Sequence, residues 1–104
     1  MGGSGSGGYL PTPPASPCAR LTFNAAVNSP QADVLTKLQE GSKLNVVLGT
    51  PGTVVMVQYQ NAIAGSLTGA HVARLIDCMN SGFAFVAVVV SLNGGLCIVR
   101  VEAA

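Results

Sequence analysis

Groups able to move a proton or attack an electrophile are few in this chain: one histidine, His71, three cysteines, four acids, and hydroxyls scattered over turn-like segments. Acid–base or nucleophilic catalysis needs such groups within hydrogen-bond reach of one another. The nearest approach is His71 with Asp77 and Cys78, six and seven residues downstream and therefore about two turns away on a helix. That spacing does not set a thiol beside an imidazole. The simpler reading places His71 in solvent on the first turn of a helix, assigns no catalytic residue, and treats the chain as non-enzymatic.

Metal and cofactor chemistry fare no better. Cys18, Cys78 and Cys97 are odd in number, lack CxxC spacing, and each lies in an apolar or alternating segment, so they read as buried structural thiols. A zinc site would need close pairs or nearby histidines. The glycines from Gly2 to Gly8 resemble a phosphate loop in composition alone, since no strand precedes them and no GK[ST] follows. Ala64-Gly65-Ser66-Leu67-Thr68-Gly69 leads into a helix whose first amides are able to receive an anion. A plain strand-to-helix turn is the preferred explanation. No metal ligand and no cofactor is assigned.

The 104 residues leave room for one small domain and a tail. Hydrophobic residues make up 49 % and charged residues 9 %, against roughly 25 % charged in an average soluble protein, which excludes disorder driven by charge. Net charge is +1, from Arg20, Lys37, Lys43, Arg74 and Arg100 against Asp33, Glu40, Asp77 and Glu102. A basic stripe for duplex DNA is missing. Single-stranded nucleic acid needs aromatic platforms near cations, and the candidates are Tyr59 and Phe23 with Arg20, Lys43 and Arg100. The longest apolar run, residues 83–90, is far short of the about 20 needed to span a bilayer. The N-terminus lacks the charged and apolar regions of a secretory signal, so a cytoplasmic location is the default expectation.

The elements that would position these residues follow from periodicity. Residues 1–17 pass from Gly/Ser to a proline-rich stretch, the composition of a flexible tail followed by a stiff extended segment. It is either a linker or a tether whose Tyr9 and Leu10 dock on a surface. A strand is expected over 18–27, where Ala19, Leu21, Phe23, Ala25 and Val27 alternate with polar or small residues. Ser29 and Pro30 then suit the cap and first turn of a helix carrying Val34, Leu35 and Leu38 and closed by Gly41. Strands follow over 43–48, 54–59 and 62–67, the first two joined by Gly49-Thr50-Pro51-Gly52, and Gly65 marks a bulge or a close backbone approach. Val72, Leu75, Ile76 and Met79 mark a helix over 69–80 that ends at Gly82. Two strands, 83–91 and 96–101, close the chain around Asn93-Gly94.

The expected architecture is α+β: a small, mostly antiparallel curled sheet or barrel of about six strands with two helices, in the order β-α-β-β-β-α-β-β. The strand over 83–90 is apolar on both faces. One face belongs to the core, and the other, bearing Val86, Val88 and Val90, must be covered by a helix, by the tail, or by another molecule.

The segments Gly41-Ser42-Lys43-Leu44-Asn45-Val46 and Asn61-Ala62-Ile63-Ala64-Gly65-Ser66-Leu67, and the helix from Ala73 that ends at Gly82, together resemble the HIRAN domain over about residues 40–92. The resemblance implies a small barrel that binds single-stranded DNA ends as an accessory to helicases or nucleases. Leu48-Gly49-Thr50-Pro51-Gly52-Thr53 stands where that family has an acidic residue followed by Asn and Asp, so no binding residue carries over.

Two functional readings result. The first is a non-catalytic protein-interaction or assembly module that binds a partner or itself through Val86, Val88 and Val90, with Tyr9 and Leu10 as tail contacts. The alternative is a HIRAN-like module for single-stranded nucleic-acid ends, using Arg20, Lys43, Tyr59 and Arg100. A small molecule in the barrel mouth is the least favoured ligand.

Overall fold

A computed structural model describes residues 17–50 and 52–104. A 3-10 turn, Pro17–Arg20, is followed by β1 (Phe23–Asn28), α1 (Ala32–Leu35), β2 (Lys43–Leu48), β3 (Val55–Tyr59), β4 (Ala62–Leu67), α2 (Val72–Asn80), β5 (Phe85–Asn93) and β6 (Leu96–Ala103). The six strands form a closed antiparallel barrel in the order β1-β4-β3-β2-β5-β6. Tyr9 and Leu10 lie outside the described residues.

The strand periodicity of the sequence becomes the wall of this barrel. Leu44 and Val46, Val55 and Val57, Ala87 and Val89, and Cys97, Val99 and Val101 turn inward, and no polar or charged side chain is buried among the described residues. Leu75 and Cys78 of α2 join the same core, as do Val34 of α1 and Leu38 just beyond it. Alternation of period two on strands and a stripe at helical spacing on α2 thus converge on one apolar interior.

Closure depends on β1 dividing its partners. Its first residues pair with β6, Phe23 opposite Val101 through Ala26 opposite Ile98, and its last two pair with β4, Val27 opposite Leu67 and Asn28 opposite Ser66. Gly65 permits that second contact: a Cβ there would stand 2.6 Å from the Asn28 carbonyl oxygen and overlap the Val27 side chain. The β3–β4 register also shifts here, with Val57 opposite Gly65 and Gln58 opposite Ile63. Ala64 is the inserted residue, so the expected bulge and the expected close approach both occur. The last hairpin turns on Gly94 and Gly95, both at positive φ, which is one residue later than expected.

Two expectations are corrected. The first strand does not begin at Cys18: residues 17–20 form the 3-10 turn, in which the Leu21 N–H donates to the Cys18 carbonyl. The turn is held to α2 by a disulfide between Cys18 and Cys78, with Cα atoms 5.5 Å apart. These two cysteines are therefore not free thiols, whereas Cys97 is free and buried as expected. Counting cysteines hid the pair because the third is a plain core residue.

The first helix is also shorter than its apolar stripe implies. Ser29 takes a positive φ and cannot cap it; Gln31 occupies the cap position without a side-chain bond, and its N–H donates to the Ala64 carbonyl of β4 at 2.8 Å. Beyond Leu35 the chain tightens into i to i+3 turns, and the Gly41 N–H then donates to the Val89 carbonyl. Sheet bonds at both ends outbid helix propagation, yet Val34 and Leu38 still reach the core.

Three outcomes follow for stability. Gly65→Ala overpacks the β1–β4 contact and lowers unfolding free energy by about 1–3 kcal/mol, measured by urea denaturation. Joint replacement of Cys18 and Cys78 by serine, which opens a 60-residue separation, costs about 2–4 kcal/mol by the same assay. Burial pushes the Cys97 thiol up from its ordinary value. The unfolded chain therefore forms thiolate first, so this contribution is complete below an ordinary thiol pKa of about 8.5 and is lost as pH rises toward the folded value. Cys97→Ala flattens that alkaline decline, and native Cys97 resists alkylation until the protein unfolds.

Candidate functional site

Two surfaces carry the residues on which function was expected to rest. The first is the outside of β5. Val86, Val88 and Val90 are half-buried and alternate with the buried Phe85, Ala87 and Val89. Their outward placement agrees with the sequence. Lateral partners define what surrounds them: Val86 lies between Asn45 of β2 and Glu102 of β6, and Val88 between Lys43 and Arg100. Val90 is the extra residue at a register shift, where Val89 faces Val99 and Ser91 faces Ile98. The row is thus a ridge one strand wide, with polar and charged residues along both flanks up to Val88 and the half-buried Ile98 beside its far end.

Barrel closure removes a second route to association. The last strand offers no edge, because β6 is paired with β5 on one side and with β1 on the other. Strand addition at β6 is thereby closed off.

The four residues considered for nucleic acid do not form one cluster. Lys43 and Arg100 are brought to either side of Val88 by the strand register. The Arg100 Nε–H donates to Glu102 Oε1 at 2.9 Å, an exposed pair that adds little stability. Tyr59 ends β3 before the Gln60-Asn61 turn, and its ring packs partly against the core. Arg20 lies elsewhere, in the second surface.

That second surface is an open groove lined by Pro17, Arg20, Leu21, Thr22, His71 and Arg74. Its two walls come from distant parts of the chain. One is the 3-10 turn and the approach to β1; the other is the start of α2. Cys18 stands two residues before Arg20, and Cys78 stands one helical turn after Arg74, so the disulfide clamps the walls together. The exposed His71 ring stacks on Phe23, centroids 4.9 Å apart and planes inclined by 21°. Leu21 and Phe23 are buried beneath. Arg20 and Arg74 make no ion pair or hydrogen bond among the described residues, in contrast to Arg100.

Sequence reasoning placed Arg74 only on the polar face of a helix and had no reason to join it to Arg20. The signal that could have found the groove was a Cys18–Cys78 pairing. That same pairing removes Cys78 as a thiol nucleophile beside His71. Among the described residues no three His, Cys, Asp or Glu side chains are grouped to hold a metal, and no helix is long and apolar enough to cross a membrane. Comparison of the chain with family models, curated proteins and solved structures gives no match.

Proposed function

We propose that this chain is a non-catalytic interaction module that associates through the outer ridge of β5, with a second copy or another protein as the partner. The observation that carries this reading is the row Val86, Val88 and Val90, half-exposed on the outside of a barrel whose interior is already filled. Burying such a row stabilises a contact at roughly 25 cal/mol per Å² of apolar surface. That gain must exceed the loss of rigid-body freedom, so the flanks contribute to choice of partner. Lys43 and Arg100 beside Val88 favour a surface that is apolar along its centre and acidic at its rim.

The alternative reading, a HIRAN-like module for single-stranded nucleic-acid ends, is supported by the same two cations standing cross-strand from Val88 and by the small closed barrel. The Cys18–Cys78 bridge favours an oxidising environment over the cytoplasm, since cytosolic reductants keep thiols reduced.

Val88→Glu tests the main reading. A carboxylate between Lys43 and Arg100 is tolerated by the fold, so the thermal midpoint stays close to that of the wild type, while sedimentation shows a concentration-dependent mass for the wild type alone. Loss of folding in the variant would mean that Val88 is a core residue and would sink the proposal. A wild type that stays monomeric throughout would eliminate the second copy as partner. For the alternative, fluorescence anisotropy of a labelled single-stranded oligonucleotide should rise in a salt-sensitive way and fall with Lys43→Gln and Arg100→Gln.

A further inference from the structure

The groove between the 3-10 turn and α2 lies apart from the β5 ridge, and of the residues considered for nucleic acid it holds Arg20 alone. Its composition is unusual for this chain: two of five basic residues and the single histidine converge on it from positions 20, 71 and 74. None of the four acids lines it. A carboxylate is the usual partner of arginines that line one cleft. Neither arginine has one among the described residues, although Arg100 on the barrel wall does.

The remaining geometry favours an anion over a mere excess of charge. Arginine presents a planar fork of donors suited to the paired oxygens of a phosphate, and two forks from opposite walls surround it better than one. The stack on Phe23 holds the His71 ring at the groove's edge. The Thr22 hydroxyl adds a neutral donor, and the positive end of the nine-residue helix α2, which begins at Val72, lies next to His71 and reinforces the field. Pro17 and Leu21 supply an apolar rim on the turn side.

We propose that this groove is a binding site for a phosphate-class oxyanion, with Arg20 and Arg74 as its principal ligands, and that the Cys18–Cys78 disulfide keeps the two arginine-bearing walls in register. The site rests on the pairing of distant segments and is independent of the β5 ridge, so failure of either proposal leaves the other standing. Its link to the disulfide makes affinity depend on oxidation state. With the bridge open, the turn carrying Arg20 is attached to α2 by packing alone.

The test is a proton–nitrogen correlation titration of the full chain with inorganic phosphate, against sodium chloride at matched ionic strength. The expected result is a saturable shift of the Thr22, His71 and Arg74 amides with phosphate only. Arg20→Gln and Arg74→Gln, both at exposed positions, each weaken the affinity by about tenfold or more, the loss of one charge-assisted contact. The double variant abolishes saturation. Cys18→Ser also weakens binding while the barrel amides keep their positions. Phenyl phosphate in place of phosphate separates the two sources of the anion: tighter binding identifies a phosphomonoester whose organic group lies on Pro17 and Leu21, and equal binding identifies the free anion. Linear shifts matching those of chloride would overturn the site, as would saturable shifts that survive in the double variant. Unchanged affinity in Cys18→Ser would overturn the role given to the disulfide.

Discussion

The closed pairing of β1 with both β6 and β4 is the constraint on which the rest of the molecule depends. A strand of six residues cannot lie fully beside two neighbours that diverge, so it spends Phe23–Ala26 on one and Val27 and Asn28 on the other. The second contact exists because Gly65 presents no side chain toward Asn28. Once closure is made, every strand has two partners, and no strand is left as a whole free edge. The interior is filled by alternating aliphatic residues with no buried polar group among the described residues, and its one free thiol is Cys97. Polar and charged side chains are therefore placed on the outer wall and at the ends.

That division explains which parts of the fold were legible in the sequence. Strands whose partners are close in the chain declare themselves by alternation and by their turns: Lys43–Leu48, Val55–Tyr59 and Ala62–Leu67 appear almost where the periodicity places them. Val72–Asn80 is equally plain, because Leu75 and Cys78 are buried and Gly82 takes the left-handed conformation that stops the helix. Errors gather where distant contacts override local preference. Ser29 and Pro30 look like a helix start, but β4 takes the Gln31 N–H, and Ser29 adopts a positive φ to bring it there. Residues 18–22 alternate like a strand, yet the bond to Cys78 folds the first part of them into a turn.

The candidate surfaces divide along the same line. The outward row Val86, Val88 and Val90 could be read directly, because it belongs to one strand and needs only a period of two. Its flanks could not, since Lys43 and Arg100 become neighbours of Val88 only through the register of three strands. The groove was hidden altogether. Its cations are some fifty residues apart, as Arg20 and Arg74 show, and no local pattern connects them. Residues 43–46 and 62–67 fall on β2 and β4, within the barrel framework and away from the six residues that line the groove.

Scarcity of charge gives the placement of each ionic group more meaning here than in an average protein. Only nine residues are charged at neutral pH, and among the described residues one ion pair forms, between Arg100 and Glu102, which are neighbours on the same face of one strand. That pair is exposed and contributes little to stability. Solubility alone would be served by scattering the remaining charges, and Lys37, Asp33 and Glu40 around α1 behave that way, all exposed. Arg20 and Arg74 do not. They line one groove whose walls are joined by a covalent bond, without a carboxylate partner among the described residues. A bridge needed only for stability could join the turn to α2 equally well with neutral residues around it. Cations concentrated beside that bridge are more economically explained by an anion that completes the cluster than by stability, which sets the groove apart from the scattered charges of the outer wall.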